Sequence, residues 1–172
     1  MHNHLIIHFF ADYFIVFPLL WALYIMLRLT QKRGEYVIRT IFAGLTAVIF
    51  AGIGMKLYHH ARPYIASHTQ ALAINPHNNS FPSLHALLLT AAALVVWWAT
   101  KNRKYGVALL AADFIVSWAR ILAHVHFLID IVAGTVMAAV AVAIWFLVPL
   151  PGFLVRWSKA TGAWLDRKLP VK

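Results

Sequence analysis

Residues 105–148 read YGVALLAADFIVSWARILAHVHFLIDIVAGTVMAAVAVAIWFLV. Two apolar runs stand out, roughly Tyr105 to Leu122 and roughly Leu128 to Val148. Each approaches the ~20 residues that an α-helix needs to cross ~30 Å of hydrocarbon. Arg120, His126 and Asp130 gather where the runs meet. The stretch therefore predicts two membrane helices joined by a short polar loop at one membrane face. His126 and Asp130 are four residues apart and share a face if the second helix starts near His126. A carboxylate so placed accepts from one imidazole nitrogen, fixes the tautomer and leaves the other nitrogen free to attack.

Upstream, three more apolar runs are visible, roughly Asp12 to Leu29, Val37 to Tyr58 and Pro82 to Thr100. The chain has 172 residues, 62% of them hydrophobic and only 12% charged. That composition excludes an ordinary soluble domain and predicts an all-α, polytopic transmembrane bundle of about five spans in a single domain, residues 1–172. The first ten residues lack a signal peptide's basic start and small-residue cleavage site. There is no cysteine, which excludes disulfides and thiolate metal sites. Pro149-Leu150-Pro151-Gly152 ends the fifth run. The tail that follows mixes Trp157, Trp164 and Leu165 with Arg156, Lys159, Arg167 and Lys168, so residues 149–172 read as a cytoplasmic, interfacial amphipathic segment.

The net charge of +10 would suit nucleic acid in a soluble chain. In a membrane chain the placement of the cations decides. Arg28, Lys32, Arg33, Arg39, Lys101, Arg103, Lys104, Arg156, Lys159, Arg167, Lys168 and Lys172 all fall on one side of a five-helix chain. By the positive-inside rule that side is cytoplasmic, and Trp97 and Trp98 form an aromatic belt beside it. No nucleic acid partner is expected. Only Lys56, Arg62 and Arg120 remain on the outer side, together with all 10 histidines.

Three outer segments carry the chemistry: Arg62-Pro63, Pro82-Ser83-Leu84-His85, and Arg120 with His126 and Asp130. From Ser83 down to Thr100 and from Lys104 back up to Arg120 each leg is roughly 25 Å at 1.5 Å per residue, so Ser83 and Arg120 return to one depth. Two guanidinium forks, a hydroxyl, two imidazoles and a carboxylate suit a phosphoryl group. Taken singly these residues have plain alternatives. Pro63 can be a helix stop, Ser83 a helix start, and Arg120 a snorkelling cation. The ordered set selects the chemical reading. Asp113 lies seven residues before Arg120, as a partner of Ser117 or Arg120 or as a packing carboxylate. His59, His60, His68, His77 and His124 read as interfacial histidines in preference to metal ligands. The loop from Tyr64 to Ser80, with its Asn75-Pro76-His77-Asn78-Asn79 turn cluster, is expected to cover the site.

The order and spacing of these segments resemble the type 2 phosphatidic acid phosphatase family of membrane lipid phosphatases, over roughly residues 37 to 148. That family carries Lys-x6-Arg-Pro, Pro-Ser-Gly-His and Ser-Arg-x5-His-x3-Asp. The resemblance implies that His126 is a nucleophile forming a phosphohistidine, Asp130 orients it, and His85 is the general acid. It implies that Arg62, Ser83, the Leu84 backbone and Arg120 hold the phosphoryl oxygens, with neither metal nor cofactor. Lys56 stands one residue too close to Arg62 for the family spacing, and Met55 occupies the matching place. One residue is about 100° of helix, so Lys56 meets the phosphate only if the helix unwinds before Pro63. Leu84 replaces Gly, and Ala119 precedes Arg120 where the family has Ser.

The short chain and the Ser80-Phe81-Pro82-Ser83-x-His85 segment resemble undecaprenyl-diphosphate phosphatases of the bacitracin-resistance type. The expected partner is accordingly a lipid phosphate in the inner membrane, met on the outer face. Phosphatidylglycerophosphate and phosphatidic acid are the runner-up substrates. A His-rich haem protein or small transporter is the reading from another class. Haem would require facing histidines inside two spans, whereas these cluster at one interface.

Overall fold

The computed structural model describes residues 2–30, 32–74 and 78–169. The chain folds as α1 (His2–His8), a π-helical turn (Phe9–Tyr13), α2 (Val16–Leu29), α3 (Arg33–Leu57), the short α4 (Pro63–Ala66), α5 (Leu84–Ala99), α6 (Lys104–Leu122), α7 (Leu128–Leu147) and α8 (Gly152–Lys168). Among the described residues four helices are long and apolar enough to cross a membrane: His4–Leu29, Arg33–Leu57, Lys104–Leu122 and Leu128–Leu147. α5 is apolar but has only 16 residues. The protein is an all-α, multi-pass membrane bundle.

α5 lies at the centre. It is apolar on all sides and buried over most of its length, with Leu84, Leu88 and Trp98 exposed. Ala93 and Val96 pack with Ala22, Ile25 and Leu109, against α2 and α6. Val95 and Ala99 pack with Met26, Ala43 and Val142, and Leu87 packs with Ala47, Ala51, Ala138 and Ala141. Small residues dominate these seams because lipid provides no hydrophobic drive between helices, so close van der Waals approach has to hold them. Large side chains such as Phe17, Leu20, Phe114 and Val140 are exposed and point away from the bundle. In lipid such exposure costs nothing, since the tails are as apolar as the side chains.

Two features differ from the sequence expectation. The first span starts well before Asp12, because helix continues back through the N-terminus, interrupted by the π-turn in which Phe14 N–H bonds to Phe9 O at 3.0 Å. The tail is one helix, and it packs on the bundle. α8 folds back on the start of α3, where a Cβ on Gly34 would sit 2.0 Å from Ser158 O, so only glycine permits the crossing. Arg33, 3% exposed, locks the contact through Asp166 and the Leu169 carbonyl. Phe153, Trp157 and Trp164 stay exposed on the other face of α8.

The two ends of the bundle carry opposite kinds of residue. At the end with Lys101 and Lys104, Arg39 pairs with Glu35 at 2.9 Å and reaches the Trp145 carbonyl. At the other end the loop after α3 is laid over the end of α6. Tyr64 N–H bonds to His124 O at 3.0 Å and Leu72 N–H to Ala123 O at 3.1 Å. Asn75, Pro76 and His77 of the predicted turn cluster lie outside the described residues.

Candidate active site

The turn between α6 and α7 builds the centre of the site. α6 stops at Leu122, and His124 takes φ 59°, the left-handed conformation that ends many helices. The chain then runs extended into Phe127 and α7 begins. Asp130, in the first turn of α7, accepts the Phe127 N–H at 2.8 Å through Oδ2 and so caps its own helix. The same carboxylate faces His126, whose Nδ1 stands 3.5 Å from Oδ2. Both side chains are buried, Asp130 completely. With Nδ1 turned to Asp130, Nε2 is the free nitrogen of His126. The spacing of four residues thus produces the predicted pairing, although His126 precedes the helix and does not lie in it.

α5 brings the second segment. Ser83 is its N-cap residue, and Leu84 and His85 open the helix, so their N–H groups lie at its positive end. Ser83 N–H bonds to Asp130 O at 3.0 Å, which fixes the start of α5 against the start of α7. The Ser83 hydroxyl is buried without a hydrogen-bond partner among the described residues. Phe81-Pro82 is a cis peptide.

The third segment enters from the loop. Arg62 donates from Nη1 to Val125 O at 2.7 Å, which ties it to the residue before His126. Burial pulls its guanidinium below the ordinary value, against the neighbouring Tyr64 and Asp130, which favour its charge. At the end of α6, buried Arg120 donates from Nη1 to Asp12 Oδ1 at 2.6 Å and to Ala11 O at 3.3 Å.

Arg62, Leu84, His85, Arg120 and His126 line one cavity of about 420 Å³, and Asp12 and Met55 line it with them. Three sequence segments far apart in the chain therefore converge, as their order predicts. Lys56 does not join them. It is exposed and is not among the lining residues, while Met55, at the spacing the resembling family uses, faces the cavity. α3 stays helical through Leu57 and does not unwind early enough to bring Lys56 round. Ser83 and Asp130 stand behind the cavity wall. A second cavity of about 280 Å³ between α2, α3 and α5 has only Thr40 among its apolar lining and offers nothing to a phosphate.

Burial pushes the His126 imidazole below its ordinary value; the Asp130 carboxylate pulls the other way, and the charges of Arg120 and Arg62 add to the lowering. The lowered His126 imidazole thus shares the cavity with two guanidinium groups. The half-buried His85 is a second imidazole in the same cavity.

Two residues beside the site were not assigned to it by the sequence. Asp12 pairs with Arg120 across 108 positions. Its one available signal was a carboxylate within an apolar run. His60 stacks on Phe127 with ring centroids 4.5 Å apart and places Nδ1 3.5 Å from Asp130 Oδ1. Asp113 is a partner of Ser117 at 3.2 Å and of Thr90 at 2.6 Å, tying α6 to α5 below the cavity.

Comparison with known proteins agrees with this geometry. The sequence pattern of a family described as the PAP2 superfamily matches residues 36–151. The chain is also 26% identical over 151 residues to the "Bacitracin transport permease protein BcrC" of Bacillus licheniformis, an alignment covering 87% of this chain and 73% of that one.

Proposed function

The chain belongs to the PAP2 superfamily, and on that premise we propose that it is an undecaprenyl-diphosphate phosphatase that works through a phosphohistidine on His126 at the extracytoplasmic face. The observation that carries the proposal is the convergence of Arg62, His85, Arg120 and His126 on one cavity, with Asp130 behind His126.

The chemistry follows from the positions. Arg62, Arg120 and the Leu84 N–H take the phosphoryl oxygens and stabilise the charge that builds up on them, and the partnerless Ser83 hydroxyl joins them once the wall in front of it moves. His126 Nε2 attacks phosphorus in line with the leaving oxygen. The P–O bond to the leaving group breaks, and that oxygen takes a proton from His85, whose imidazole is held neutral by burial and by the Arg120, His126 and Arg62 charges until the bound anion offsets them. Asp130 holds the proton of Nδ1 and stabilises the charge that His126 gains. Water then attacks the phosphohistidine, His85 takes back a proton, and inorganic phosphate leaves. Desolvation strengthens each of these interactions relative to water.

Several features support the diphosphate as substrate. A diphosphate carries more charge than a monoester and leans harder on fixed cations. His59 and His124, exposed in the loops at the same end of the bundle, offer imidazoles to its second phosphate. The relative's name ties that protein to bacitracin, which sequesters the same lipid diphosphate. Its hydrolysis gives the tolerance that a pump would also give.

The test is phosphate release by the purified protein from undecaprenyl diphosphate, phosphatidylglycerophosphate and phosphatidic acid. The diphosphate is expected to be cleaved fastest, with activity surviving EDTA. A tenfold or greater preference in kcat/KM for a phospholipid monoester overturns the substrate and leaves the phosphatase standing. Loss in EDTA with rescue by a divalent ion overturns the phosphohistidine route.

A further inference from the structure

We propose that Asp12, on the π-turn of the N-terminal helix, is the positioning residue for Arg120 and sets which edge of that guanidinium faces the phosphate. This rests on the phosphatase reading above and adds to it a residue outside the stretch that matches the family pattern, 36–151.

The hydrogen bonds assign the role. Both hydrogen bonds of Arg120 Nη1 go to the N-terminal helix, to Asp12 Oδ1 at 2.6 Å and to Ala11 O at 3.3 Å. Arg120 Nε is buried and has no hydrogen-bond partner among the described residues. In a planar guanidinium the Nε–H and Nη2–H form one side-on fork, on the edge away from Nη1. Asp12 therefore occupies the Nη1 end of the group and leaves Nε, on the side-on fork, without a protein partner among the described residues.

Asp12 is itself held. Its Oδ2 accepts the Ile74 N–H at 2.7 Å and stands 3.4 Å from His8 Nε2. Its side chain is 8% exposed and that of Arg120 is 4% exposed. A buried guanidinium whose partner is removed is left uncompensated. The π-turn supplies the location, since the extra residue in that turn sets Asp12 against α6, and such turns recur at functional sites. The carboxylate thus joins the N-terminal helix, the loop after α4 and the last turn of α6 into one support behind Arg120.

The test compares Asp12→Ala and Asp12→Asn in the full-length protein. A 1 Å misplacement of a positioning group costs about 10²-fold, so Asp12→Ala is expected to lower kcat by about that factor while KM moves less than about threefold. Asp12→Asn has one oxygen for two donors, Arg120 and Ile74 N–H, and is expected to fall between, with a loss of about tenfold. It also serves where Asp12→Ala does not fold. Binding of orthovanadate, a phosphate-like anion that needs no turnover, is expected to weaken in the same order. In the Arg120→Ala background either Asp12 substitution is expected to cost nothing further, since the two residues act as one unit.

Wild-type kcat and orthovanadate binding in folded Asp12→Asn overturn the proposal. So do an equal loss with and without Arg120, or a gain of activity, which would make Asp12 a block on the site. If the wild-type protein releases no phosphate from any lipid yet orthovanadate binding follows the expected order, the phosphatase reading falls and the role of Asp12 stands. If the lipid is cleaved, His126→Ala is inactive and Asp12→Asn is unaltered, only the role of Asp12 falls.

Discussion

At the scale of single residues, the proposed phosphohistidine route depends on His126 being neutral where a surface histidine would begin to charge. Its desolvation disfavours the imidazolium, and two guanidinium groups add to that effect. The sign follows directly. Protonation removes the lone pair of the nucleophile, and a lowered value moves protonation to more acid pH. Activity is therefore expected to hold as pH falls through about 6.5, the ordinary histidine value, and to decline only below it. A pH profile of kcat/KM checks this, and an acid limb at or above the ordinary value would count against a desolvated nucleophile. His126→Ala is expected to abolish turnover without loss of helical circular dichroism. Asp130→Asn is expected to be severe but less complete, by analogy with the ~10⁴ loss when a triad aspartate becomes asparagine and the tautomer is no longer fixed. In this protein the same change also weakens the cap on Phe127 N–H, so a lower melting temperature should accompany it.

At the scale of elements, the close approach of α7 to the start of α5 places Ser83. A Cβ on Gly134 would lie 2.4 Å from Ser83 O and 3.2 Å from Leu87 N, both backbone atoms that cannot swing aside. Gly134→Ala is expected to force the helices apart at a cost of about 1–3 kcal/mol, typical of overpacking. Ser83 and the Leu84 N–H should retreat from the phosphate with it. A lower melting temperature in detergent together with a reduced kcat is the expected pair, and an unchanged kcat would place Ser83 outside the reaction. How legible these elements were in the sequence varies for a physical reason. The α6–α7 turn was readable because its partners are near in sequence: Arg120, His126 and Asp130 are set by helix periodicity and one short loop. Arg62 and Ser83 were readable as members of an ordered set, though not as contacts. Asp12 was not, because the π-turn that sets it against α6 depends on packing, which one-dimensional periodicity does not carry. Lys56 was assigned by residue type, and the register of α3 put Met55 at the cavity instead. The folding of α8 onto α3 was hidden in two glycines, Gly34 and Gly162, whose meaning appears only when they meet.

At the scale of the whole molecule, the bundle separates two kinds of positive charge. Lys32, Arg39, Lys101, Arg103, Lys104, Arg156, Lys159, Arg167 and Lys168 sit toward the loops and tail of one end, while Arg62 and Arg120 line the cavity at the other. The first group follows the statistics of membrane insertion, where basic loops stay in the cytoplasm. The second is paired or buried, as cations are when a site retains them: Arg120 on Asp12 and Arg62 on the Val125 carbonyl. Folding α8 against α3 strengthens the assignment, because it brings the basic tail to the same end as the start of α3 through Arg33 and Asp166. The N-terminus is thus expected outside the cytoplasm and the C-terminus inside. Reporter fusions after Lys104 and after Lys172 should both score cytoplasmic, and one after His59 should score outside. Paired substitution tests the cause: replacing Lys101, Arg103 and Lys104 by Gln should weaken the cytoplasmic score of the first fusion, since the bias is counted over short loops near the spans. An outside score for either basic fusion in the unaltered protein would invert the bundle. It would put the cavity of Arg62, Arg120 and His126 in the cytoplasm, where a lipid diphosphate exposed on the outer leaflet could not reach it.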